Sequence, residues 1–282
     1  MTPNTLRILR FFRRNPIGLI GVAILLAFLV IVLFAEVLSP YDPTVRVGDP
    51  FEQPSAAHLL GTNDIGQDIL SELIFGARVS LTVGLVAALL AISIGTVAGV
   101  VAGYFGGVVD ALIMRVVDVV LVIPFLPLMI LLAAFAGPSF RNLILVIGLL
   151  TWARPARVIR SQTLSLRHRT YIEAAQSVGA RPGRILFRHV LPGVLPLSLA
   201  QLVLAASTAI LVEASLSFLG LGDPTTKSWG TVLYYAQVRS AFLSGAWIWW
   251  VLPPGFLITL AVLGFALVGF ALEEVLNPQL RR

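Results

Sequence analysis

Cysteine is absent from this 282-residue chain, and lysine occurs only once, as Lys227. Without cysteine the chain has no disulfide, no thiolate zinc site and no cysteine nucleophile. Because Lys227 follows Thr226, the chain also has no G-x-x-x-x-G-K-[ST] phosphate loop. If ATP drives the function of this protein, another subunit hydrolyses it.

Histidine is scarce as well. The three histidines, His58, His168 and His189, do not have a metal-binding spacing such as H-E-x-x-H. No G-x-S-x-G nucleophile elbow occurs in the chain. The sequence therefore predicts a non-catalytic protein with no metal site and no cofactor of its own, and it disfavours an intramembrane protease.

Apolar residues dominate what is present. The chain is 57% hydrophobic and 12% charged, with a mean hydropathy of +0.93, which is typical of an integral membrane protein. About 20 apolar residues are needed to cross the hydrocarbon core of a bilayer. Five segments meet this requirement: Ile17 to Leu38, Leu81 to Tyr104, Ala111 to Ala136, Leu195 to Leu221, and Trp247 to Leu272.

A sixth segment, Phe140 to Val158, is weaker, because arginines flank its short apolar centre. Six spans and a cytoplasmic N-terminus place 14 basic residues inside and four outside, whereas five spans place 6 inside and 12 outside. Lysine and arginine favour the cytoplasmic side. We therefore predict an all-α, polytopic helical bundle of six transmembrane helices in the cell membrane, with both termini cytoplasmic.

This topology divides the chain into four parts. Residues 1–16 form a cytoplasmic tail, 17–38 the first span, and 39–80 an outer loop with an amphipathic helix. Residues 81–282 form a core of five spans, which includes a cytoplasmic loop at about 159–194. Small-xxx-small spacing of Gly95, Gly99 and Gly103 predicts close helix packing in this core. Pro124, Pro127, Pro253 and Pro254 are expected to bend their helices.

The cytoplasmic loop has the features of a docking segment. Thr170 and Glu173 have the spacing of a capping box, which predicts a helix from about Tyr171. Gly179 is typical of a helix end, and Pro182 of the start of a second helix. This pattern favours a slim helix that a soluble partner contacts. The alternative is an interfacial segment whose arginines bind anionic lipid headgroups.

Polar residues also mark the fifth span. Gln201, Thr208 and Ser215 recur every seven residues, which suggests either a translocation path or hydrogen bonds between helices. Glu213 lies off this stripe, and we assign it to a structural pair or a gate. In the third span, Arg115 and Asp118 are three residues apart and predict an ion pair.

Three carboxylates precede the second span at intervals of four: Asp64, Asp68 and Glu72. With their apolar neighbours they predict an amphipathic helix on the outer surface. Such an acidic face suits docking of a basic partner or binding of calcium, and its alternative is a solvated surface without a partner.

Several stretches resemble a known family. The cytoplasmic loop contains the series Glu173-Ala174-Ala175, Gly179 and Leu191-Pro192. This series resembles the loop signature of binding-protein-dependent ABC importer permeases of type I. Residues 58–81, 110–124 and 213–222, and the ending Leu276-Asn277-Pro278, are similar to the C-type membrane subunit of the dipeptide, oligopeptide and nickel branch.

The resemblance implies a permease subunit of an ATP-driven importer. Its implied partners are a second permease, two cytoplasmic ATPase subunits that bind ATP and magnesium, and an extracytoplasmic solute-binding protein, with no nucleic acid. Peptides are the leading solutes, and nickel complexes and glutathione-like compounds are alternatives. The resemblance also makes the loop helix a coupling helix, which includes Tyr171, Glu173, Ala174, Ala175, Ser177, Gly179 and Arg181.

A different functional class remains open from the residues alone. In an ion-driven secondary transporter or channel, Glu213 and Asp118 would titrate or bind the ion. Such transport would collapse with an ionophore and would need no ATPase partner.

Overall fold

The computed structural model describes residues 16–276, with side chains through Glu274. The predicted cytoplasmic tail therefore lies almost entirely outside the described residues, as do Arg281 and Arg282. Within the described part the chain is helical, and one isolated bridge joins Thr62 to Asp68. The all-α prediction is confirmed.

Fourteen helices follow one another in the described chain. They are α1 (Pro16–Leu33), α2 (Ala35–Leu38), α3 (Ile69–Phe105), α4 (Gly107–Val122), α5 (Phe125–Ala136), α6 (Phe140–Thr151), α7 (Ala153–Arg167), α8 (Thr170–Ser177), α9 (Pro182–Ile185), α10 (Leu191–Leu216), α11 (Trp229–Val238), α12 (Ala241–Ser244), α13 (Trp247–Trp250) and α14 (Leu252–Leu276). Two π-helical turns, Leu186–Val190 and Ser217–Leu221, flank α10.

Six spans are accounted for when bent helix pairs are counted as single spans. Four helical stretches are long and apolar enough to cross a membrane alone: Pro16–Leu33, Ile69–Phe105, Pro182–Leu221 and Trp247–Glu274. The pairs α4 with α5 and α6 with α7 meet the same requirement together, with bends of 89° and 42°. The weak sixth segment of the sequence is therefore helical, although it is not straight.

Pro124 separates α4 from α5. A proline disfavours the helical conformation of the residue before it, and Ile123 is accordingly extended, with ψ of 134°. The segment from Ala111 to Ala136 was predicted as one span, and the structure replaces it with two helices at nearly a right angle. Pro253 and Pro254 lie in the first turn of α14, directly after the interruption of the helical stretch at Val251.

Close packing of α3 on α7 forms the cytoplasmic half of the bundle. The glycine spacing predicted close helix packing at this face of α3, and the structure confirms it, with α7 as the partner. A Cβ atom added at Gly99 would lie 2.6 Å from the carbonyl oxygen of Ala156. One added at Gly103 would lie 2.7 Å from Cβ of Thr163. These glycines let the two backbones approach each other directly.

The outer half of the bundle is organised around two buried tryptophans. Trp229 and Trp250 belong to one cluster with side chains from α1, α3, α10 and α14. The indole nitrogen of Trp229 donates to the carbonyl oxygen of Leu73 at 2.9 Å, and its backbone N–H donates to Oγ of Ser80 at 3.1 Å. Helix α11 is thus fixed into the bundle from the outer side.

Candidate coupling and translocation sites

Helix α8 lies on the cytoplasmic loop and is anchored by one side. Ile172 is fully buried in a cluster with Ile159, Ile185 and Val194, which come from α7, α9 and α10. The opposite side of α8 is exposed, including Tyr171, Glu173, Ala174 and Ser177. One face of this short helix therefore belongs to the bundle, and the other is open to contact.

The predicted capping box at the start of α8 is wrong. The N-cap residue is Arg169, which is extended at ψ of 138°, and no side chain caps the helix. Thr170 is already the first helical residue, so its hydroxyl does not satisfy the free N–H groups. Glu173 therefore has no capping role, and its carboxylate has no hydrogen-bond partner within residues 16–276.

The end of α8 is formed as the sequence predicts. Gly179 has φ of +78°, a conformation that glycine adopts readily and that other residues rarely adopt. Its N–H donates to the carbonyl oxygen of Gln176 at 2.9 Å, and the N–H of Ala180 donates to that of Ala175 at 3.0 Å. This pair of bonds is a Schellman motif, which ends the helix sharply.

The residues on either side of Gly179 are also exposed. Val178 is 84% exposed and Phe187 is 76% exposed, which is unusual for large apolar side chains on a cytoplasmic loop. Arg181 and Arg184 are exposed beside them. The predicted second helix is only α9, with Pro182 in its first turn, and a π-helical turn follows it. Arg181 and Arg184 thus belong to α9 and its N-cap, whereas Arg188 lies in the π-helical turn.

Two ion pairs join α4 to α7 just before the cytoplasmic loop. Arg160 donates to both carboxylate oxygens of Asp110 at 2.5 Å each. Arg157 pairs with Asp118. The predicted pair of Arg115 with Asp118 is wrong. The carboxylate of Asp118 pairs with Arg157 of the neighbouring helix α7, and not with Arg115 of its own helix. The three-residue spacing of Arg154, Arg157 and Arg160 was the sequence signal that could have indicated α7 as the source of basic partners for the α4 carboxylates.

A cavity of about 230 Å³ lies between α4, α6, α7 and α10. Gln201 and Thr208 of the predicted polar stripe line it. Gln201 also donates its side-chain amide to Glu273 of α14 at 2.7 Å. Ser215 lies farther along α10, outside the wall of this cavity, and donates to the carbonyl oxygen of Leu211 at 2.8 Å. The structure thus brings together two of the three stripe residues.

Glu213 is enclosed at the outer end of α10, with 1% of its surface exposed. Its Oε1 accepts a hydrogen bond from Oγ of Ser217 at 2.7 Å, and the side chains of Ser80 and Ser228 are its other polar neighbours. These residues come from α3, the π-helical turn and the N-cap of α11. Glu213 lies apart from the cavity of Gln201 and Thr208.

The three outer carboxylates do not form an amphipathic helix, so this prediction is wrong. Helix α3 begins at Ile69, and Asp64 lies in the loop before it. Asp68 is the N-cap, where Oδ2 accepts from the N–H of Ser71 at 2.9 Å. Asp68 and Glu72 are 1% and 2% exposed, so neither is available to a docking partner. Asp64 pairs with Arg239 at 3.3 Å.

Lys227 is a site residue that the sequence did not reveal. It makes a buried ion pair with Glu72 and also donates to Gln67, so it joins the two outer loops. Glu72 accepts a further hydrogen bond from Asn63 at 2.9 Å. The carboxylate of Glu72 at an apolar helix start indicates that a cation should lie nearby. Lys227 is too far from Glu72 in the sequence for spacing to identify it as that cation.

Asp223 is a second contact between distant segments. Its Oδ2 accepts from the N–H of Phe140 at 3.2 Å, and its Oδ1 accepts from Thr225, so it caps the outer end of α6. Partial burial raises the pKa of Asp223, but hydrogen bonds from Thr225 and Phe140 lower it, and the net pKa is below its ordinary value. Its stabilising effect is present above that ordinary value and is lost as the pH falls through the lowered pKa.

Residues 95–282 match the family described as "Binding-protein-dependent transport system inner membrane component". The chain belongs to this family. Residues 5–61 also match the N-terminal transmembrane domain of oligopeptide transport permease C. The two matches cover both the first span and the core.

Several relatives are similar over nearly the whole chain. The dipeptide transport system permease protein DppC of Escherichia coli K12 is 41% identical over 96% of this chain and 92% of its own length. DppC of Alkalihalophilus pseudofirmus is 38% identical over 95% and 88%, respectively. The oligopeptide transport system permease protein OppC of Bacillus subtilis is 33% identical over 96% and 88%.

These matches confirm the predicted role as an ABC importer permease of the inner membrane. As a permease of this family, the chain is a non-catalytic membrane subunit, and ATP hydrolysis belongs to other subunits. The comparisons do not support the ion-driven alternative that was based on Glu213.

Proposed function

We propose that this permease imports peptides or related small solutes together with a second permease, two ATPase subunits that bind ATP and magnesium, and an extracytoplasmic binding protein. The observation that carries this proposal is the exposed, sharply ended helix α8 on the cytoplasmic side. The similar proteins are named as dipeptide and oligopeptide permeases, which supports peptides as the solute class.

Helix α8 is the coupling helix in this proposal. Its contact residues are Tyr171, Glu173, Ala174, Ala175, Ser177, Gly179 and Arg181. Ile172 connects α8 to a buried cluster shared with α7, α9 and α10. Because packed side chains transmit displacement, a movement of an ATPase against α8 moves these helices together. ATP binding is thereby coupled to the opening of the bundle.

The exposed apolar residues extend this contact surface. Val178 and Phe187 flank the helix end, where burial against an ATPase would remove apolar surface from water. Glu173 and Arg181 offer charges of opposite sign on either side of Gly179, and both are exposed. This arrangement suits a protein groove with an apolar floor and a polar rim.

The translocation path runs beside α10. Gln201 and Thr208 line the cavity of about 230 Å³, and their polar groups give a solute hydrogen-bond partners. Ser215 continues the same stripe toward the outer side. Glu213 has a structural role, because its neighbours Ser80, Ser217 and Ser228 connect α3, α10 and α11. On the outer surface, Asp64 and Arg239 border the area that the binding protein contacts.

ATP-driven uptake by the reconstituted complex tests this proposal. The permease is purified with its partner subunits, placed in liposomes with internal ATP, and supplied with binding protein and a labelled dipeptide. We expect uptake that requires ATP and persists with an ionophore. Glu173→Lys should reduce uptake and solute-stimulated ATP hydrolysis while the complex still assembles. Uptake that needs an ion gradient and no ATP would refute the proposal.

A further inference from the structure

Three arginines on α7 differ in whether a carboxylate neutralises them. Arg154, Arg157 and Arg160 are three residues apart, so each lies about 4.5 Å farther along the helix axis than the one before. Arg157 and Arg160 have carboxylate partners on α4, namely Asp118 and Asp110. Arg154, the first of the three along α7, has no carboxylate partner within residues 16–276.

The position of Arg154 explains why α4 does not neutralise it. At its level α4 contributes Val120 and Leu121, which are apolar, to the same cavity wall. A charged side chain within a transmembrane segment is costly and usually faces a partner or a water-filled space. Arg154 lies on the wall of the 230 Å³ cavity, together with Thr151, Gln201 and Thr208.

We propose that Arg154 binds an anionic group of the transported solute, specifically the terminal carboxylate of a peptide-like molecule. This inference rests on the proposed function and adds the chemistry by which the cavity selects its solute. The guanidinium group offers a fork of N–H donors that fits a carboxylate in two parallel hydrogen bonds. The hydroxyls of Thr151 and Thr208 donate to carbonyl oxygens of their own helices, and the amide of Gln201 donates to Glu273, so Arg154 is the main donor that the cavity offers to a carboxylate.

The apolar part of the cavity suits the rest of such a solute. Leu150, Leu204 and Phe125 add apolar surface to the wall of the same cavity. Ligand sites commonly combine an apolar lining with a few polar groups that fix orientation. A solute with one carboxylate and variable side chains would therefore be held by its constant group. Selection by a constant group permits many different side chains.

The decisive experiment compares a labelled dipeptide with its C-terminal amide in the reconstituted complex. In the Arg154→Gln variant, we expect uptake of the free acid to fall at least about tenfold, the loss of a charge-assisted pair of hydrogen bonds. Uptake of the amide should change less than about twofold, since it lacks the charge that Arg154 recognises. The binding protein discriminates between acid and amide equally with the Arg154→Gln complex and with the unchanged complex. Its contribution therefore cancels when the acid-to-amide uptake ratios of the two complexes are compared.

Two matched variants separate this role from others. Arg154→Lys keeps the cation and should retain part of the preference for the acid. Arg141→Gln removes a cation from an exposed position outside the cavity wall, and it should leave the ratio unchanged. Equal loss of acid and amide uptake in Arg154→Gln would overturn the proposal, because it indicates a bond to a lipid phosphate or to the second permease. Unchanged uptake of the acid would overturn it as well.

Protection from alkylation gives a reading that does not depend on transport. The chain has no cysteine, so Thr208→Cys places a single thiol in the cavity wall. In the complex without binding protein, millimolar dipeptide should slow its alkylation, and the amide should not. Arg154→Gln should abolish the protection. Absence of protection in the arginine-containing protein overturns the site, whereas lack of ATP-driven uptake with protection intact refutes only the proposed function.

Discussion

Gly179 ends α8, the proposed coupling helix, in a conformation that side chains rarely adopt, with φ of +78° and open space around its Cα. Gly179→Val should therefore act through the backbone alone, at a cost of about 1–2 kcal/mol or more for a β-branched residue. We expect reduced ATP-driven uptake with normal membrane insertion. Gly179→Asn is the control, because asparagine tolerates this conformation, and it should retain most of the uptake. Equal loss in both variants would contradict the backbone explanation.

Lys227 and Glu72 form a buried pair between the two outer loops. Lys227→Met leaves the carboxylate enclosed without its cation, and we expect a loss of about 3 kcal/mol in stability. Replacing both residues, as Lys227→Met with Glu72→Leu, removes the unpaired charge and should restore much of the loss. Thermal unfolding of the three proteins in the same detergent measures this. A double variant less stable than Lys227→Met would oppose this account of the pair.

At the scale of helices, the contact of α3 with α7 depends on glycine. Gly99→Ala places a Cβ atom 2.6 Å from the carbonyl oxygen of Ala156, a backbone atom that does not move easily. We expect the helices to separate, with a loss of about 1–3 kcal/mol. Gly255→Ala is the matched control in α14, since nothing lies within 4 Å of its added Cβ. The midpoint of thermal unfolding should fall for Gly99→Ala alone. A similar fall in both variants would indicate a general effect of alanine.

The number of spans, with each bent helix pair counted as one, and the close packing of α3 could be predicted from the sequence because both depend on local or additive properties. Charge distribution predicted six spans, and glycine spacing predicted the face of α3 that contacts α7. The partner of Asp118 could not be predicted in this way, because Arg157 belongs to another helix. Asp64, Asp68 and Glu72 have helical spacing, but Asp68 caps the helix and the outer loops enclose Glu72. Tertiary contacts decided both cases.

At the scale of the whole molecule, the bundle has two different ends. On the outer side, α11 and the loops close over Trp229 and Trp250, and ion pairs join distant segments. On the cytoplasmic side, α8 presents exposed residues and is connected through Ile172 to a buried cluster with residues of α3, α7, α9 and α10. The cavity of Gln201 and Thr208 lies between these ends. This asymmetry suits a subunit driven from the cytoplasmic side.

Site-specific cross-linking tests the central claim that α8 contacts an ATPase. Because the chain has no cysteine, Ala174→Cys and Ala56→Cys each introduce one thiol at an exposed position. In the assembled complex, Ala174→Cys should cross-link to an ATPase subunit with a yield that changes when ATP is added. Ala56→Cys, on the outer loop, should not reach it. No cross-link from Ala174→Cys in a complex that hydrolyses ATP, or an ATPase cross-link from Ala56→Cys, would contradict the account.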